Sequence, residues 1–155
     1  MKLIKNKKFL VLLFLLFGLG FLRDFIFIQT NIIMFNKWSN SEYEFHSSMN
    51  WLNSFDYWTL YYAKWFLTAL FIVLYFILSR HCIKLLFNQK LFLHLLFFFF
   101  LLILSFAAGS LFFGWLTDGL DKGYLFSRLF VGILQSPLPL MLIVPFGLYY
   151  NQAEK

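Results

Sequence analysis

Four long apolar runs constrain this chain more than any other feature. Tyr57 to Ser79, Leu91 to Trp115 and about Tyr124 to Leu148 each carry at most one charged side chain. Each reaches the roughly 20 residues needed to span a hydrocarbon layer at about 1.5 Å of rise per residue. The first run, Phe9 to Leu22, attains that length only by absorbing Arg23 and Asp24 and continuing to Ile28 or as far as Phe35. A chain of 155 residues that is 61% hydrophobic and 13% charged, against about 25% charged in soluble domains, has too little polar surface to fold in water. The expectation is an all-α integral membrane protein, one domain forming a four-transmembrane-helix bundle. Its helices are placed at about 9–28, 57–79, 91–115 and 124–148, with an outer loop at about 36–56.

The basic residues give the orientation. Lys2, Lys5, Lys7 and Lys8 precede the first run, Arg80, Lys84 and Lys90 lie between the second and third, and Lys155 ends the chain. The loops on the other side hold only Lys37 and Lys122. Because Lys and Arg stay cytoplasmic during insertion, both termini are placed inside. Trp51, Tyr57, Trp58, Tyr61, Tyr62, Trp65, Trp115 and Tyr124 cluster at the outer boundary, and Tyr149 and Tyr150 mark the inner one, as amphipathic rings at headgroup level do. The net charge of +6 is therefore read as topology. No basic face interleaved with exposed aromatics points to nucleic acid. The charged start and apolar run resemble a signal peptide, but Gly18, Leu19 and Gly20 lead into bulky Phe21 and Leu22. A retained first helix is expected, with cleavage as the alternative.

The few polar residues inside the runs are the candidates for function. Fourteen residues, Phe9 to Leu22, precede Arg23, and fourteen, Trp65 to Leu78, separate Lys64 from the inner end of the second run. Both charges then sit about 21 Å deep in a layer about 30 Å thick. Arg128, near the outer end of the fourth run, joins the same level, and Asp24 is the helix-borne carboxylate in reach. A charge at the bilayer centre costs about 2.5–3.5 kcal/mol, so these groups are expected to face protein, water or headgroups, with Asp24 within ion-pair reach of Lys64 or Arg128. Tyr57, Tyr61, Lys64 and Thr68 share one helix side by their spacing, as do Arg128, Gly132, Gln135 and Pro139. The alternative is that Lys64 and Arg128 snorkel to headgroups while Arg23 and Asp24 mark a helix end. Pro137 and Pro139 predict a bend near Gln135, since each removes a backbone donor.

Other constellations carry less. His46, Ser47, Ser48 and Glu44 include hydrolase residue types, but closeness in sequence is not triad geometry. A lone Cys82 leaves no disulfide or CxxC site, and His81 beside it does not make a metal site. Ser105, Ala108 and Gly109 offer a small-residue face for helix packing, within the chain or with a partner. No cofactor, metal or catalytic set is expected.

Two segments, Tyr61-Tyr62-Ala63-Lys64-Trp65-Phe66-Leu67 and the end of the chain from Ser127-Arg128-Leu129-Phe130 to Pro145-Phe146-Gly147-Leu148-Tyr149-Tyr150, resemble the exosortase F-associated membrane proteins of Bacteroidota. The resemblance covers about a third of the chain. It implies a bacterial inner-membrane accessory protein of a sorting or envelope system rather than the protease itself. The functional expectation is thus a non-enzymatic component that binds a partner protein or anionic lipid through an outer-leaflet polar layer of Arg23, Asp24, Tyr61, Lys64, Arg128 and Gln135. The runner-up is a small channel or transporter working as a homo-oligomer, and a membrane enzyme acting on lipid comes third.

Overall fold

The computed structural model describes residues 7–87 and 89–153, and its regular elements are helical throughout. Helix α1 spans Lys7–Ser39 and a 3-10 helix covers Ser47–Ser54. Then come α2 (Tyr57–Leu86), α3 (Lys90–Leu116), α4 (Leu120–Leu134) and α5 (Leu138–Ala153). Helices α1, α2 and α3 are each long and apolar enough to cross a membrane, and the α4–α5 pair makes a fourth if it counts as one broken span. Lys2, Lys5 and Lys155, assigned above to the inner side, lie outside the described residues.

The helix limits differ from expectation where polar residues were read as ends. Helix α1 continues past the expected end at 28 to Ser39, so the loop starts at Asn40 rather than 36. Arg23 and Asp24 neutralise each other at 3.0 Å, and the run from Phe25 to Phe35 is again mostly apolar. The helix stops where Asn40 adopts φ 51°, a left-handed conformation that Asn tolerates and that commonly ends helices. Helix α2 likewise runs through Arg80 and Lys84 to Leu86, which shortens the expected 80–90 connection to three residues. The expected fourth helix is two helices bent by 52°.

The chain forms two compact units. The loop unit is Gly18–Phe71; the hairpin unit comprises the segments up to Phe17 and from Ile72. In the loop unit Ile33, Met34 and Leu60 are buried, and Phe45, Met49, Leu52, Tyr57 and Tyr61 pack on them. Loop side chains are thereby drawn onto the facing ends of α1 and α2.

In the hairpin unit α3 packs on α4 and α5, and α4 on α5. The α3–α4 crossing is set by two glycines. A Cβ on Gly123 would lie 2.6 Å from the Ser110 carbonyl oxygen, and one on Gly114 would lie 2.8 Å from Gly123 Cα. Ala107, Gly114, Gly123 and Ser127 are buried along this seam, whereas Ser105, Ala108 and Gly109 are exposed. Ser105 and Gly109 thus border the seam, in an open groove shared with Lys122, Gly123 and Phe126 of α4, rather than forming its close contact. Asp118 takes φ 52°, and the Gly119 N–H donates to the Gly114 carbonyl at 2.9 Å, the six-to-one bond that closes a helix C-terminus. At the other end Phe87 lies against Gly147 and 4.6 Å from the Phe92 ring, which meets Tyr150. Tyr75, fully buried, donates to the Leu16 carbonyl at 3.2 Å, tying α2 to the start of α1.

The α4–α5 break has a local cause. Gln135 ends α4 with its N–H on the Val131 carbonyl, Ser136 Oγ donates to the Ile133 carbonyl, and Ser136 Oγ accepts the Leu138 N–H that opens α5. Pro139 then falls in the first turn of α5, where a missing N–H costs nothing. The expected bend is thus a capped stop and restart, and the stripe from Arg128 to Pro139 is divided between two helices.

Candidate functional site

Hydroxyl and imidazole groups in an apolar helix must find hydrogen bonds or cost free energy. Thr30, Ser39, Thr68, Ser105, Ser110, Thr117, His81 and His94 each meet the backbone carbonyl four residues earlier in their own helix. Such back-bonding satisfies a side chain without any ligand or neighbour. The polar groups that reach beyond their own turn are the informative ones, and they concentrate in the loop unit.

Gln29, Asn36 and Lys37 stand with buried Ile33 on one face of α1. Gln29 Oε1 accepts the His46 N–H at 2.8 Å. Asn36 brackets Tyr43, its Nδ2 donating to the Tyr43 carbonyl at 2.8 Å and its Oδ1 accepting the Tyr43 N–H at 3.0 Å. Lys37 Nζ donates to the Asn53 carbonyl at 2.8 Å. These bonds give backbone groups of residues 43–53 fixed partners and hold the loop on the helix. Beside them Asn36, Lys37, Glu42, Glu44, Asn50 and Asn53 line an open cleft of about 730 Å³. Its lining mixes charges and amides.

The residues selected from sequence fall in both units. In the loop unit Arg23 and Asp24 form an ion pair, with Asp24 61% exposed. Lys64, partly buried, donates to Asn31 Oδ1 at 2.7 Å. Tyr61 stacks on Tyr57 and meets Trp58, Tyr62 and Trp65 edge to face. The stripe expected on α2 is visible, since Tyr57, Tyr61, Lys64 and Thr68 are half-buried while Trp58, Tyr62, Trp65 and Phe66 are exposed. In the hairpin unit Arg128 is exposed on α4 and Gln135 is buried at the break. Sequence reasoning missed Gln29, Asn31 and Asn36. Their signal was available, because amides inside the apolar run from Phe25 to Phe35, as Gln29 and Asn31 are, or directly at its end, as Asn36 is, need a partner for each donor and acceptor.

His46 and Ser48 do meet, Nδ1 to Oγ at 2.8 Å. The same Nδ1 accepts the Ser48 N–H, so the contact is the N-cap of the 3-10 helix. Asp56 caps α2: the Thr59 hydroxyl donates to its carboxylate, which holds Asp56 below the usual carboxylate range. Among the described residues no three His, Cys, Asp or Glu side chains converge as a metal site requires. No protein-family model, curated protein or solved structure matches the chain.

Proposed function

We propose that this chain is a four-span protein of a bacterial inner membrane, with α4 and α5 together forming the last span and both termini cytoplasmic. It acts as a non-enzymatic accessory component of a cell-envelope or sorting system. Its outer end, the loop unit with Arg23, Asp24, Tyr61 and Lys64, binds a partner protein or anionic lipid headgroup. The observation that carries this reading is the bareness of α1, in whose most apolar 18-residue window only 6% of the residues are buried by the chain itself. A helix so apolar and so uncovered needs lipid or another protein around it. The accessory role follows from the family resemblance, and the pinned loop supports it by offering a pre-ordered surface that loses little entropy on binding.

Reporter fusions test the orientation: residues 40–56 are expected outside and the α2–α3 turn inside, and an outside α2–α3 turn overturns it. Purification in mild detergent tests the role. A second protein is expected to remain bound and to be lost on Lys37→Ala, which releases the loop. The second reading, an oligomeric channel or transporter, draws on the broken α4–α5 pair with buried Gln135, since discontinuous helices line many transport sites. A discrete oligomer of this chain alone would favour it.

A further inference from the structure

We infer that the cleft between the end of α2 and the start of α3 is a headgroup site for an anionic phospholipid of the cytoplasmic leaflet, an inference that rests on the membrane orientation proposed above. Arg80 and Lys84 are one turn apart on α2, and Lys90 and His94 one turn apart on α3. Both pairs line one open cleft of about 760 Å³. All four side chains are exposed. Neither helix carries a single Asp or Glu, so these cations have no carboxylate counter-charge on either wall.

The apolar part of the cleft selects the kind of anion. Phe76, Leu93 and Phe97 continue from the basic rim, with the Phe76 and Phe97 rings 6.5 Å apart edge to face. A free phosphate has no use for that wall, whereas an acyl chain lies along it while its phosphate meets Arg80, Lys84 and Lys90. Basic pockets between helices on the cytoplasmic side bind anionic headgroups in this way. His94 Nδ1 is committed to the Lys90 carbonyl at 2.9 Å, which leaves Nε2 for a headgroup hydroxyl or phosphate.

The test uses the full chain, purified in detergent and titrated with phosphatidylglycerol or phosphatidylcholine, with bound lipid counted by native mass spectrometry. Phosphatidylglycerol is expected to bind in preference. Arg80→Gln and Lys84→Gln should each weaken it about fivefold, the equivalent of the roughly 1 kcal/mol per basic group near an anionic surface. Arg80→Lys should retain most of the binding, and Lys8→Gln, outside the cleft, should leave it unchanged. Unaltered unfolding temperatures are expected, because the substituted side chains are exposed. Equal losses for Lys8→Gln and Arg80→Gln would overturn the site in favour of general surface attraction, and displacement of the lipid by inorganic phosphate would make it a simple anion site. Alkaline carbonate extraction separates the two levels of failure. Release of the protein from native membranes overturns the membrane reading and the site with it, while retention without phosphatidylglycerol preference overturns the site alone.

Discussion

The loop unit and the hairpin unit solve the same problem with opposite materials. In the hairpin unit α3 and α4 meet because side chains are missing: Gly114 and Gly123 let backbone touch backbone. In the loop unit the segment after α1 is held because side chains are present, with Gln29, Asn36 and Lys37 bonding its backbone. In the membrane setting proposed here this division has a physical basis. Lipid tails are as apolar as leucine, so helices gain little by hiding apolar surface and associate through close van der Waals approach. A loop at the interface has backbone groups that water or side chains must satisfy, and directional bonds decide its course.

Gly123→Leu puts the largest strain on the contrast. Its Cβ meets backbone, which cannot rotate away, so a loss of about 3 kcal/mol or more is expected. Unfolding in detergent should show it, while Gly109→Leu, whose Cβ meets nothing within 4 Å, should be near neutral. If both are tolerated, the seam does not hold the hairpin.

A double-mutant cycle on Asn31 and Lys64 probes the loop unit next. Asn31→Leu removes an acceptor of a partly buried ammonium, and Lys64→Met on that background should recover part of the loss. A coupling energy of about 1.5–3 kcal/mol is expected for such a charge-assisted bond. A coupling near zero would show that the two side chains act independently.

Smaller still is Asn36→Ala, which removes both bonds to Tyr43 and should cost about 1 kcal/mol. Hydrogen exchange should quicken in residues 40–46 and stay unchanged along α3 and α4. Spreading of the effect into those helices would contradict the separation of the units.

The smallest effect is a pH dependence. Thr59 holds Asp56 below its ordinary pKa of 3.8 in the folded state, so the cap contributes stability above that value. The contribution is lost as pH falls below 3.8 through the folded pKa. Thr59→Val should remove this acid sensitivity at the start of α2, and an unchanged acid profile would show that the Thr59 bond does not stabilise the ionised cap.

Several elements were legible because their cause is local. The α3 limits, expected at 91 and 115, fall at Lys90 and Leu116, since an uninterrupted apolar run has no competing conformation. The break near Gln135 is local as well: Pro137 and Pro139 favour a helix start over a continuing helix, and Ser136 beside them supplies the cap. The inward stripe of Tyr57, Tyr61, Lys64 and Thr68 follows from helical periodicity alone. The end of α1 was misplaced because Gln29, Thr30 and Asn31 follow the expected end at 28 and Asn36 opens the expected loop, yet their side chains find partners within the folded helix and its neighbours.

The sequence by itself determined the helical class, the apolar runs long enough to span a membrane, and the distribution of positive charge. These depend on composition and on periods of a few residues, which every segment carries with it. Only the tertiary structure decided that α3 meets α4 at Gly114 and Gly123 rather than along Ser105 and Gly109. It also decided that Asn31 accepts from Lys64, and that Asn36 holds Tyr43. A helix shows small or polar residues on several faces, and its period does not say which face a neighbour will cover. That choice is made when distant segments meet, because a close approach or a hydrogen bond stabilises only the one alignment in which both partners are present.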